Sequence, residues 1–192
     1  LPRCLVGWEF GRRDGGGRLS GRVNSASVFD HDTPGAMDIA AFDRAIAVNL
    51  RAPALLSERF AAQADPARDN CIVNILDQKL WNMNPDFYSY TMSKAGLLAA
   101  TDMMARAFAP AVRVNAIAPG LLLPSHDQTL AEFETVASRN PMQRPIALDD
   151  VVSAVEFLMG NASLTAQVIH VDNGQRLKAS ARDVIFDTRE AK

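Results

Sequence analysis

The chain alternates short apolar runs with longer stretches whose apolar residues recur every three or four positions. Cys71-Ile72-Val73-Asn74-Ile75-Leu76, ending on Asp77, and Val112 to Ala118, ending at Pro119-Gly120, are runs of the first kind. Both are short and rich in branched residues, which predicts buried strands. Between them, Ser89 to Phe108 brings Tyr90, Lys94, Leu97, Thr101, Met104 and Phe108 onto adjoining parts of one face, which predicts a helix. Strand, helix, strand is a parallel βαβ unit. Such sheets bind ligands beyond the carboxyl ends of their strands, where Asp77 and Pro119-Gly120 fall.

The flanks follow the same rules. Phe42, Ile46 and Leu50, with Ala45 and Val48, form a stripe that predicts one helix from Asp38 to about Gln63, with Asp38 at its start. Pro53 inside it has no N–H for the Asn49 carbonyl, and its ring clashes there. Either this is a simple kink with a solvated carbonyl, or that oxygen holds a water for chemistry. Thr129-x-x-Glu132 fits a capping box opening a helix from about Gln128 to Ser138. A further helix is expected from Asp149, as its cap, to Met159, stopped by Gly160. A strand from Gln167 to Val171 leads to Asp172-Asn173-Gly174, where Asn173 tolerates a left-handed backbone. His31 and Asp32 sit in a polar turn before Pro34-Gly35 and read as surface, as does His126 in the loop after Pro124.

The first 22 residues differ. Gly7, Gly11, Gly15, Gly16, Gly17 and Gly21 stand there among Arg3, Arg12, Arg13, Arg18 and Arg22, with no apolar period. This predicts an irregular segment, either a replacement ahead of a truncated domain or a flexible basic arm. The expected organisation is therefore segment 1–22, domain 23–177 and a mixed-charge tail 178–192 with no predicted structure.

Composition narrows the function classes. The 192 residues are 48% hydrophobic and 22% charged with net charge −2, ordinary for a soluble domain that buries a core. Nothing there points to a nucleic-acid or membrane partner, and a cytoplasmic setting is the default expectation. Cys4 and Cys71 make no disulfide framework, no Cys/His cluster has metal spacing, and Cys71 reads as a small core residue.

Tyr90 and Lys94 lie one helical turn apart and share a face. A lysine ammonium beside a phenol favours the phenolate, so Lys94 is expected to lower the pKa of Tyr90 and let it exchange a proton as hydride moves. Tyr90-Thr91-Met92-Ser93-Lys94-Ala95 followed by Val112-Arg113-Val114-Asn115-Ala116-Ile117-Ala118-Pro119-Gly120 resembles the short-chain dehydrogenase/reductase family. The resemblance runs from Val23 to Leu177 and includes Val23-Asn24-Ser25-Ala26-Ser27, Val48-Asn49-Leu50 and Val171-Asp172-Asn173-Gly174. Asp77 stands where most members carry a catalytic serine. With Ala26-Ser27-Val28-Phe29 upstream, it is similar to the pteridine reductases and the bacterial dihydromonapterin and dihydrofolate reductases.

The resemblance implies an α/β fold, part of a Rossmann-like doubly wound parallel sheet, and a reductase using NADPH on a pterin or folate ring. It implies catalysis by Tyr90, Lys94, Asp77 and Asn49, and cofactor contacts from Asn24, Ala26, Ser27, Tyr90, Lys94, Pro119 and Gly120. Ser27, Phe29, Asp77 and Tyr90 would hold substrate, with Phe29 stacked on the flat ring. It implies a homo-oligomer, a dimer or tetramer, through the helices carrying Asn49 and Tyr90. Relatives open with a β-α-β-α-β unit bearing a glycine-rich phosphate turn, which Gly15-Gly16-Gly17 does not match. The competing expectation is therefore a catalytically dead remnant that only associates.

Overall fold

Four parallel strands make one sheet in the order β1 (Gly21–Asn24), β2 (Asn70–Ile75), β3 (Val112–Pro119) and β4 (Val168–Val171). The computed structural model describes residues 19–124 and 129–186. Helices α1 (Ile39–Ile46), α2 (Ala52–Gln63) and α3 (Tyr88–Phe108) lead into β2 and β3, and α4 (Leu130–Ala137) and α5 (Leu148–Gly160) precede β4. The fold is α/β and Rossmann-like, with helices on both faces of the sheet.

Period-two alternation decides which strand residue meets which helix. Ile72 and Val114 pack with Phe60 of α2 and Met104 of α3, and Leu76 and Ala116 pack with Leu97. Cys71, Val73 and Ile117 turn the other way, onto Leu158 of α5. Both faces are covered, which is why β2 and β3 read as nearly continuous apolar runs. Cys71 is buried among them as expected.

A buried polar network interrupts this core. Asn24 Nδ2 donates to Ser57 Oγ (3.0 Å) and to Asn74 Oδ1 (2.8 Å), while Asn74 Nδ2 donates to Thr101 Oγ1 (2.9 Å). It links β1, β2, α2 and α3 with every amide group satisfied, as burial requires.

Several expectations need correcting. Strand β1 begins at Gly21, so Gly21 and Arg22 belong to the sheet; residues 1–18 of the irregular segment lie outside the described residues. The free edge of β1 has no paired strand among the described residues. The single helix over 38–63 is α1 and α2 joined by a π-helical turn, Ala47–Arg51, with Ala52 N–H bonded to the Ala47 carbonyl. A widened turn just ahead of Pro53 accommodates its ring and missing N–H. Helix α5 is capped at Ala147, whose N–H donates to Asp150 Oδ2 at 3.4 Å, and Asp149 sits in its first turn. The capping box of Thr129 and Glu132 on α4 and the left-handed Asn173 (φ 48°) agree with the reading. His126 lies outside the described residues.

Asp32 is not a surface residue. It is buried and accepts hydrogen bonds from the Ser89 N–H (2.9 Å) and the Ser89 hydroxyl, holding the first turn of α3, where Phe87 takes a left-handed φ of 55°. Asp32→Ala should lower the unfolding free energy by about 2 kcal/mol, the upper range for a lost helix cap. Urea melts of both chains would measure it, and a difference below about 0.5 kcal/mol would remove this role from Asp32.

The tail is structured as far as Phe186, the last of its described residues. Among residues 178–186, Val184–Phe186 forms a 3-10 turn whose Ile185 is buried against Phe87 and Tyr90.

Candidate active site

Three segments meet at the carboxyl edge of the sheet. Strand β2 delivers Asp77 on a short 3-10 turn, Gln78–Trp81; α3 delivers Tyr90 and Lys94 from its first two turns; and the loop after β1 delivers Ser27 to Phe29. Tyr90 Oη donates to Asp77 Oδ2 at 2.7 Å, and the Lys79 N–H donates to Asp77 Oδ1 at 2.8 Å. Lys94 Nζ donates to the Ile75 carbonyl at 2.7 Å and lies 5.7 Å from the Tyr90 ring centre.

Asn49 organises the loop. Its side chain accepts from Val28 N–H (2.8 Å), donates to the Val28 carbonyl (2.9 Å) and donates to Ser93 Oγ (3.0 Å). Ser93 Oγ in turn donates to the Tyr90 carbonyl at 2.6 Å. Asn49 therefore fixes Phe29 relative to Tyr90. Phe29 stacks on Phe87 (centroids 3.9 Å apart, planes 13° apart) and meets the edge of Tyr90 at 4.7 Å. It is still 40% exposed, enough to leave ring surface for a ligand.

The electrostatics differ from the expectation for Tyr90. Its pKa is raised well above the ordinary value, first by burial and then by the Asp77 carboxylate it bonds; the expected lowering by Lys94 is not found. A phenol donating to a carboxylate loses that bond when it ionises, so the proton is held. Burial also raises the Asp77 carboxyl, against the opposing pull of the Lys79 N–H, the Tyr90 hydroxyl and Lys94. Burial lowers the Lys94 ammonium to about 8, with Asp77 pulling it back up.

The lysine shift carries a stability consequence. The folded Lys94 value lies below its ordinary 10.5, so between pH 8 and 10.5 the unfolded chain binds more protons and stability rises with pH. Below pH 8 the full cost of the buried ammonium is present. Lys94→Met should therefore stabilise the chain at pH 7 by about 2–3 kcal/mol and flatten that rise, as read by urea melts at pH 7 and pH 10. A destabilised variant would show that its bond to Ile75 outweighs burial.

The remaining expected residues are placed less uniformly. Ser27 lies beside Phe29, and its Oγ is buried without a hydrogen-bond partner. Ala26 is half-buried in the same loop. Pro119 ends β3 and Gly120 follows it; a Cβ on Gly120 would approach Gln175 Oε1 at 2.6 Å and Ile146 Cδ1 at 2.8 Å, so this glycine lets the 172–175 turn close on the strand end. Asn24 stands apart, its amide committed to the core network. The sequence reading missed Phe87, Lys79 and the tail. Phe87 had a usable signal as an aromatic three positions ahead of Tyr90; the others are defined by long-range contacts.

Comparisons with known proteins agree with this geometry. The pattern of the family described as enoyl-(acyl carrier protein) reductase, within the short-chain dehydrogenases, matches residues 12–176. A crystal structure of FolM alternative dihydrofolate reductase 1 from Brucella suis in complex with NADP superposes with TM-score 0.82 and 42% identity, covering 87% of this chain and 68% of that one. The 3-oxoacyl-[acyl-carrier-protein] reductase FabG of Thermotoga maritima is 31% identical over 163 residues, 82% of this chain and 66% of that protein. Protein FixR of Bradyrhizobium diazoefficiens is 32% identical over 187 residues, 92% of this chain and 66% of its own. A probable galactose dehydrogenase of Rhizobium meliloti is 28% identical, and this chain spans 62% of its length. The chain thus spans 57–66% of the length of these and further curated relatives. On these matches and on the Tyr90, Lys94 and Asn49 arrangement, the chain belongs to the short-chain dehydrogenase/reductase family.

Proposed function

We propose that this chain carries the catalytic part of an NADPH-dependent reductase of the pteridine and dihydrofolate type. The observation that carries the reading is the Tyr90–Asp77 hydrogen bond of 2.7 Å beside the half-exposed ring of Phe29. A carboxylate at this place accepts hydrogen bonds and suits the paired N–H donors of an aminopyrimidinone edge. A flat aromatic ring gains about 1 kcal/mol from offset stacking on Phe29 beyond its burial. FolM, bound to NADP, bears the name of a dihydrofolate reductase and is 42% identical to this chain over the superposed part.

The described residues fit the nicotinamide half of such a cofactor. Ser27 Oγ is a buried hydroxyl lacking a partner, and one of the three Lys94 ammonium donors goes to Ile75, leaving capacity for ribose hydroxyls. Asn24, expected beside the adenosine half, is used within the core. When bound, NADPH supplies hydride to the carbon of a ring C=N bond. Tyr90 would give its proton to the adjoining nitrogen, Asp77 would orient the ring and relay a proton from water back to Tyr90, and Lys94 would hold the ribose. Pro53 gives no N–H to the Asn49 carbonyl, which in this reading keeps a water on the path to Lys94.

A second reading rests on exposed apolar residues of α2 and α3. Leu55, Leu56, Met92 and Met103 are 51%, 43%, 47% and 68% exposed and suit a homo-oligomer. Self-association accompanies the enzyme reading, and an associating remnant without catalysis is its competitor. Among the described residues no helix is long and apolar enough to cross a membrane, and a cytoplasmic setting is part of the proposal. The test is to titrate the chain with NADPH and then follow its oxidation with dihydropterin or dihydrofolate. Turnover with either supports the enzyme; dimers in sedimentation without nucleotide binding support the remnant.

A further inference from the structure

The turn that carries Asp77 also carries a buried lysine. Lys79 has a side chain only 4% exposed, and its Nζ bonds Asp183 Oδ2 at 2.8 Å and Asn84 Oδ1. Its own N–H bonds Asp77 Oδ1. One residue thus holds the proton-handling carboxylate through its backbone and the C-terminal segment through its side chain. A buried ammonium is costly without a partner, so the pairing with Asp183, 12% exposed, sets where this turn sits.

The same segment grips the start of α3. Arg182 forms a forked pair with Asp86, Nε to Oδ2 at 2.8 Å and Nη2 to Oδ1 at 3.1 Å, and the Asp183 N–H donates to Asp86 Oδ2 at 2.8 Å. Burial alone would raise the Asp86 carboxyl, but these donors outweigh it and hold it at about 2. Asp86 is followed by Phe87, and two residues beyond Asp183, Ile185 is buried against Phe87 and Tyr90. A cavity of about 320 Å³ is lined by Gln78, Asn84, Lys178, Arg182 and Asp183 among others.

We propose that Arg182–Ile185 is a working part of the active site, in which Asp183 and Lys79 are positioning residues that fix Asp77 against Tyr90. This rests on the reading of that pair as the proton-handling groups. The segment ties together two parts of the chain, 77–81 and 86–90, which also meet through the Tyr90–Asp77 bond and through the Lys79 ammonium 5.9 Å from the Phe87 ring centre. Charged groups facing the pair come from each neighbouring element: Lys94 from α3, Lys79 from the turn and Asp183 from the tail.

The test uses the chain itself with Asp183→Asn, Asp183→Glu and the double variant Lys79→Met/Asp183→Leu. The double variant leaves no lone buried charge, so it stays folded if Asp183→Asn does not. In the ligand-free double variant, exchange protection of the amides of residues 79 and 80 should fall about tenfold or more while α3 and the sheet keep theirs. With NADPH and dihydropterin, kcat should fall about tenfold with KM changed less than threefold, and Asp183→Glu should recover most of it. A folded double variant with unchanged protection at 79 and 80 overturns the proposal. If the parent chain reduces no pterin, the functional reading fails, while the exchange result still decides the positioning role. If protection falls but kcat holds, Asp183 and Lys79 are structural only and the proposal is overturned.

Discussion

Replacing Tyr90 by Phe is expected to lower turnover of dihydropterin by about 10²–10⁴-fold with little change in NADPH affinity. The hydroxyl is the group placed to hand a proton to the substrate, and its raised pKa keeps that proton in place near neutral pH. Phenylalanine retains the ring that meets Phe29 edge-on at 4.7 Å, so aromatic packing survives and only the proton donor is removed. Asp77 loses one of its two donors and keeps the Lys79 N–H. Steady-state kinetics with a thermal melt of each variant would check this. Turnover within threefold of the parent would take the proton donor's role away from Tyr90.

Asp77→Ser is expected to cost tenfold or more in pterin reduction, about 1.4 kcal/mol of transition-state stabilisation. A serine in this place donates to a carbonyl oxygen. An ionised aspartate only accepts, and it repels negative charge growing on such an oxygen. Burial raises the Asp77 pKa, against the pull of the Lys79 N–H, the Tyr90 hydroxyl and Lys94. The variant should therefore lose pterin activity and gain toward simple ketones. If Asp77→Ser improves ketone reduction and leaves pterin reduction untouched, the pterin reading is wrong and a general carbonyl reductase takes its place.

Much of the sheet was legible because it is buried on both faces. Cys71–Leu76 and Val112–Ala118 had to be apolar at nearly every position, and the structure places β2 at Asn70–Ile75 and β3 at Val112–Pro119. Tyr90 and Lys94 were legible because helical spacing alone puts them on one face. The direction of the Tyr90 shift was not: Lys94 turns its ammonium to Ile75, and the Asp77 carboxylate takes the phenol instead. Asp32 looked exposed because a polar residue in a turn carries no local sign of capping a helix 57 positions onward. Lys79 and Asp183 are 104 positions apart, and neither lies in a periodic segment. Tail residues without apolar period find their place only against a surface assembled by everything before them.

The paired amides of Asn24 and Asn74 have a consequence for how the strands align. A parallel sheet built from near-continuous apolar runs offers few marks by which one strand can recognise its proper offset against the next. Asn24 lies directly opposite Asn74 in the β1–β2 pairing. Sliding β1 by two residues keeps every side chain on its own face but sets Asn24 opposite Ile72 or Leu76, leaving two buried amides without each other at about 1–3 kcal/mol apiece. A single slip turns the faces over as well. The amides thus act as a key that admits one alignment, and a leucine pair of similar volume would keep the sheet greasy while letting it settle out of step.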